Sequence, residues 1–179
     1  MTANRLLFPA MLLASLVVSS NANAQCSGNA GGCNTVNTAS ATVNALVKLG
    51  MSATTTSLSA PTADQVDVGA TLADAGPTFT IKANRSWTLN IRTSNATNFT
   101  YVGTNGGIKP ISDLTWSNAV AGTYVAISPS DALFLSGAAA TNGTAAQVFF
   151  KTVWAAGFTQ ASNAPGTYSL PVVFSLSAP

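Results

Sequence analysis

The 179-residue chain has no histidine and no glutamate, two cysteines, and charged residues at only 7% of its positions. Each shortage excludes a class of function. Without histidine there is no Ser-His or Cys-His relay for nucleophilic catalysis, and no Ser-x-x-Lys spacing takes its place. The acids are five aspartates, Asp64, Asp67, Asp74, Asp113 and Asp131. The pairs Asp64/Asp67 and Asp113/Asp131 are the only candidates for carboxylate chemistry, and aspartates of this kind ordinarily cap turns. No calcium-loop pattern surrounds Asp64 and Asp67. Two cysteines without histidine fall short of a zinc site, and no cofactor is implied. A net charge of +2, spread along the chain, is not the footprint of a nucleic-acid binder.

One long apolar run is present, and it stands at the start. Arg5 precedes an apolar stretch from Leu6 to Val18, followed by Ala22-Asn23-Ala24. A positive start, a short apolar core and a small-x-small site define a secretory signal peptide, residues 1–24. The run is short for a membrane crossing and nothing later is longer, so the mature chain is expected to have no membrane span. Cleavage after Ala24 leaves enough chain for one domain with a real core. Export also bears on Cys26 and Cys33, which are expected to pair as a local structural disulfide within a flexible N-terminal segment, residues 25–40. So short a loop removes little chain entropy.

Residues 41–179 read as one all-β domain. Its centre is Phe79 to Ile91, where Phe79, Ile81 and Ala83, then Trp87, Leu89 and Ile91, alternate with polar residues. Period two means a strand with one dry face, either one long strand or two joined near Asn84 to Ser86. Trp87 is the expected core anchor. Further strands are expected at Ala41–Met51, Thr54–Leu58, Phe99–Val102, Leu114–Ser117, Tyr124–Ile127, Ala132–Leu135 and Ala145–Ala156. Residues 63–72 read as a turn and a weak edge-like strand, and Asp74-Ala75-Gly76-Pro77 as a turn. The clearest alternation is the last one: Gly166, Tyr168, Leu170, Val172, Phe174 and Leu176, with Pro171 marking an edge or a bulge. Roughly seven to nine strands with no long helix indicate a single antiparallel β-sandwich of immunoglobulin-like type, with a closed barrel as the alternative architecture.

The aromatics leave a second function open. Trp87, Trp116 and Trp154, with Tyr101 and Tyr124, would form a carbohydrate-binding platform if exposed outside the strand phase. Within it they are core.

The end of the chain, Gly166-Thr167-Tyr168 followed by Leu170, Val172, Phe174 and Leu176, resembles secreted fimbrial subunits of the chaperone–usher kind and the related spore-coat-U-like proteins. The signal peptide, size and Ser/Thr/Asn/Ala/Gly-rich composition are similar too. The chain departs from that pattern in ending Ser177-Ala178-Pro179, without a penultimate aromatic, and in the short Cys26–Cys33 spacing. The resemblance implies an incomplete immunoglobulin-type sandwich completed by a donated strand, through β-augmentation. Thr42–Leu49 is the candidate donor, unless it pairs within its own subunit. The expectation is an exported, non-enzymatic structural or adhesive protein of the periplasm, cell surface or medium. Its partners would be copies of itself or other pilus subunits, with a periplasmic chaperone on the way. The alternative is a secreted carbohydrate-binding module.

Overall fold

The computed structural model describes residues 37–179; the signal peptide, Cys26 and Cys33 lie outside the described residues. Val43–Pro179 forms one compact unit. It holds ten strands: β1 (Val47–Met51), β2 (Ala70–Ala83), β3 (Trp87–Thr93), β4 (Thr100–Gly103), β5 (Leu114–Ser117), β6 (Val125–Ala126), β7 (Ala132–Gly137), β8 (Thr141–Trp154), β9 (Gly166–Ser169) and β10 (Val172–Ser177). One short helix, α1 (Ala63–Val68), precedes β2.

All pairings are antiparallel. One sheet runs β1-β2-β8-β5-β6, a second β10-β3-β7, and β4 pairs with β9 as a separate ribbon. The chain is thus an all-β sandwich. The first sheet supplies Phe79, Ile81, Trp116, Val148 and Phe150 to the core, and the second supplies Trp87, Leu89, Ile91 and Phe134. Edge-to-face contact of Phe79 with Phe134, centroids 5.7 Å apart, ties the layers together. Each such buried side chain contributes about 1.5–3 kcal/mol.

Asn84 to Ser86 separate two strands, and those strands lie in different sheets. The chain crosses between layers there, which keeps one alternation phase while swapping sheets. Trp87 is 3% exposed and packs against Gly137, where a Cβ would come within 2.5 Å of the indole.

Several local expectations are corrected. Residues 63–68 form a helix, not a turn. Thr62 and Gln65 make a capping box: the Gln65 amide donates to Thr62 Oγ1 at 3.3 Å and the Thr62 amide to Gln65 Oε1 at 2.9 Å. Asp74 to Pro77 do not turn the chain. They lie inside β2, where the register with β8 shifts between Ala75 and Thr78, and Pro77 sits at that irregularity. β2 is no edge strand, since β1 and β8 flank it. Only Val47–Met51 of the first expected strand is strand, and Thr54–Leu58 is not strand at all. Leu170 and Pro171 split the final alternation into β9 and β10, which belong to different sheets.

Candidate functional site: an open slot beside β10

Two neighbouring strands of the second sheet, central β3 and edge strand β10, differ sharply in burial. β3 alternates buried and half-buried along its whole length, whereas β10 is half-buried throughout except at exposed Ser177. Tyr168, Leu170, Val172, Phe174 and Leu176 all pack on the core from one side and stay partly open on the other. Phe174 shows what they touch: its ring lies 4.5 Å from that of Phe79 and 5.8 Å from that of Phe134. These are core positions only partly covered by the described residues.

A slot of about 720 Å³ runs beside them. β10 and the residues leading into it form one wall. Met51 to Ala60 form the other, and Phe99, Leu114, Phe150, Thr152 and Trp154 line the floor. Among the described residues β10 pairs only with β3, and none of them takes up the backbone groups that its outer edge presents to the slot. The facing wall is also unpaired. Ala53 to Leu58 makes no backbone–backbone hydrogen bond among the described residues. The segment is pinned at its ends instead. The Ser52 amide donates to the Thr78 carbonyl at 2.9 Å, and Ser59 donates to Asp74 through its amide at 3.0 Å and its hydroxyl at 2.6 Å. Its Thr-Thr-Thr-Ser sequence favours a strand. Among the described residues no strand pairs with it.

The slot is held open by its surroundings. Thr93 is fully buried and its hydroxyl donates to the Pro171 carbonyl at 2.8 Å, fixing the point where β10 begins. Upstream, Tyr101 and Tyr168 stack across the β4–β9 ribbon with centroids 5.0 Å apart. The Tyr101 hydroxyl donates to the Pro165 carbonyl at 2.8 Å, and that of Tyr168 to the Ala164 carbonyl at 2.9 Å. Burial, then the neighbouring Tyr101, pushes the Tyr168 hydroxyl above its ordinary pKa, against the Ala164 hydrogen bond. Gly166 fits because a Cβ there would meet the Tyr101 ring at 2.5 Å and the Val102 carbonyl at 2.7 Å.

At the floor stands a buried cation. Lys109 is 1% exposed; its ammonium donates to Asp113 Oδ2 at 3.1 Å and to the Val153 carbonyl, and lies 4.0 Å from the centre of the Trp154 ring. Burial lowers its pKa more than Asp113 raises it.

The remaining sequence candidates are dispersed. Asp113 is held by Lys109, and Asp131 lies 3.4 Å from Arg92, so the two carboxylates are engaged by different cations. Asp64 and Asp67 are exposed on α1. Trp87 and Trp116 are core residues, and Trp154 is half-buried under Tyr168 and Lys109, so the three indoles share no exposed face. Among the described residues no helix is long and apolar enough to cross a membrane. Sequence reading picked out the β10 wall by its alternation but missed the opposite wall and Lys109. The charge-free run from Thr152 to Pro179 was the available signal that this end avoids the usual edge protection.

Neither a known protein-family model nor a curated protein matches the chain.

Proposed function

We propose that this chain is an exported structural subunit of a surface fibre or coat, assembling when an extended segment of one copy enters the slot beside β10 of the next. The observation that carries the reading is the juxtaposition of two walls with no backbone partner among the described residues, β10 and Ala53–Leu58, across a floor of Phe99, Leu114, Phe150 and Trp154 with Lys109 and Thr152 among them. An added strand gains backbone partners from a bare wall and covers Tyr168 to Phe174. The similarity of the Gly166–Leu176 end to fimbrial subunits points the same way.

The donor is reassigned. Val47–Leu49 of the expected Thr42–Leu49 segment is committed in cis, paired with Ile81–Ala83 of β2. The pairing extends to Asn44. Asn84 accepts from the Leu46 amide at 2.8 Å and donates from its side chain to the Asn44 carbonyl at 2.8 Å. Residues 25–43 therefore form the donating arm. At roughly 3.3 Å per residue it reaches about 60 Å, enough to span a slot some 30 Å long from Gly166 to Phe174.

The test is sedimentation and negative-stain microscopy of the chain starting at Gln25, with and without residues 25–43. Filaments that vanish on the deletion support the reading. A monomer at high concentration that the deletion leaves unchanged overturns it and favours the carbohydrate-binding alternative.

A further inference from the structure

Charge is scarce in this protein, and what remains is sorted by end. Lys48 and Lys82 stand directly opposite each other in the β1–β2 register, both exposed, and Arg85 follows in the turn after β2. Like charges facing across a strand pair repel. No carboxylate lies within ion-pair distance of any of the three among the described residues. At the other end of β2, Asp64 and Asp67 are exposed on α1, and Asp74 sits a few residues into the strand, held by Ser59. None of these aspartates has a cationic partner among the described residues.

The other charges are accounted for. Arg92 pairs with Asp131, Lys109 with Asp113, and Lys151 lies over the Tyr124 ring. The unpaired acids and the cationic cluster are thus separated by most of β2. From Asp74, the nearest of the acids, to Lys82 that is roughly 26 Å along the strand, and from Ala70 beside α1 roughly 40 Å, against a screening length of about 8 Å in physiological salt. They cannot neutralise each other within one molecule. Between two molecules stacked end to end they meet. Exposed apolar residues accompany each cluster: Val68 and Phe158 at the acidic end, 78% and 61% exposed, and Val43 and Leu46 at the cationic end, 76% and 60% exposed.

We propose that the cationic end of one copy, Lys48, Lys82 and Arg85, docks on the acidic end of the next, Asp64, Asp67 and Asp74. The inference rests on the strand-insertion reading for its direction. The donating arm leaves the body beside Asn84, at the cationic end. The slot's Tyr168 end lies near α1: Tyr168 stacks on Trp154, and the Gly157 amide just beyond β8 donates to the Val66 carbonyl at 2.7 Å. An arm passing from one body into the next therefore brings opposite charges together. The contact is heterologous, so copies add head to tail. The added strand supplies permanence, while the charged ends select and orient the incoming copy.

The test compares the chain from Gln25 with Lys82→Glu/Arg85→Glu, with Asp64→Lys/Asp67→Lys, and with all four changes together, by sedimentation in 20 mM and 500 mM NaCl. Each double variant is expected to need at least a tenfold higher concentration to assemble in low salt. The quadruple variant should recover assembly, and high salt should erase the differences. Double variants that assemble like the unaltered chain in low salt overturn the inference while leaving strand insertion intact. Association that obeys the charge swaps but survives deletion of residues 25–43 supports the docking and overturns strand insertion. No association of the unaltered chain in low salt overturns both.

Discussion

The three-stranded sheet has two edges, and they are treated in opposite ways. At β7, the Asn118 side chain donates to the outward Phe134 carbonyl at 3.1 Å, and the Arg92–Asp131 pair marks the strand's start. The other sheet is guarded too: β1 carries Lys48 on its edge, and β6 has only two residues. Capped carbonyls, charges and short strands keep an edge from pairing with another chain. At β10 none of these is present. Its side chains are apolar or small, no charge follows Lys151, and its core face is only half covered. Of the four edges of the two larger sheets, three are blunted and the β10 edge is bare and apolar among the described residues.

The comparison is broken most severely by filling the slot. Joining residues 34–43 after Pro179 through a short Gly/Ser linker lets the chain complete itself. Covering roughly 200 Å² of apolar surface at ~25 cal/mol per Å² should stabilise the monomer by about 5 kcal/mol and abolish fibres. Urea unfolding and microscopy read the two effects.

Next come Ile91 and Phe174, which are register partners across β3 and β10. Ile91→Ala should cost about 3–4 kcal/mol whether or not the slot is filled, since Ile91 is already buried. Phe174→Ala should cost about 2 kcal/mol in the monomer and more in the self-completed chain, because only there is the ring fully enclosed. Equal costs in the two backgrounds would mean that the added strand does not lie on Phe174.

The slot floor gives a pH signature. Lys109→Met removes the buried charge. Because burial holds the Lys109 pKa below its unfolded value, the unfolded chain binds more protons in the window between the two. The penalty for burying the charge is therefore full below the folded pKa and fades as pH rises through it. Relative to Lys109→Met, the unaltered protein should gain stability as pH rises from below the folded pKa towards the ordinary lysine value, read by urea titrations across the alkaline range.

The smallest change is at the protected edge. Asn118→Ala uncovers the Phe134 carbonyl and should cost about 1 kcal/mol without altering assembly, whereas Val172→Lys should stop assembly by placing a charge inside the slot.

How much of this was legible depends on where the physics was local. Alternation located β3, β8 and the β9–β10 wall, because period-two burial is written directly into residues such as Trp87, Leu89 and Ile91. The sandwich class followed from them. Asp74 to Pro77 looked like a turn because local residue preferences say so, and the pairing of β2 with β8 overrode them. Thr54–Leu58 has the composition of a strand, and only the structure shows that no strand among the described residues pairs with it. The donor could not be placed from its own residues, since the Asn84 contacts that commit Asn44 to Met51 join positions about 40 residues apart. Lys109 gave no sign of burial, because its partners Val153 and Trp154 lie across the fold.

The most direct measurement is amide hydrogen exchange along β7 and β10, in the monomer lacking residues 25–43 and in fibres of the chain from Gln25. The account predicts that outward amides of Val172–Ser177 and amides of Ala53–Leu58 exchange quickly in the monomer and become strongly protected in the fibre, with β7 unchanged. Fibres in which β10 and Ala53–Leu58 exchange as fast as in the monomer would contradict it.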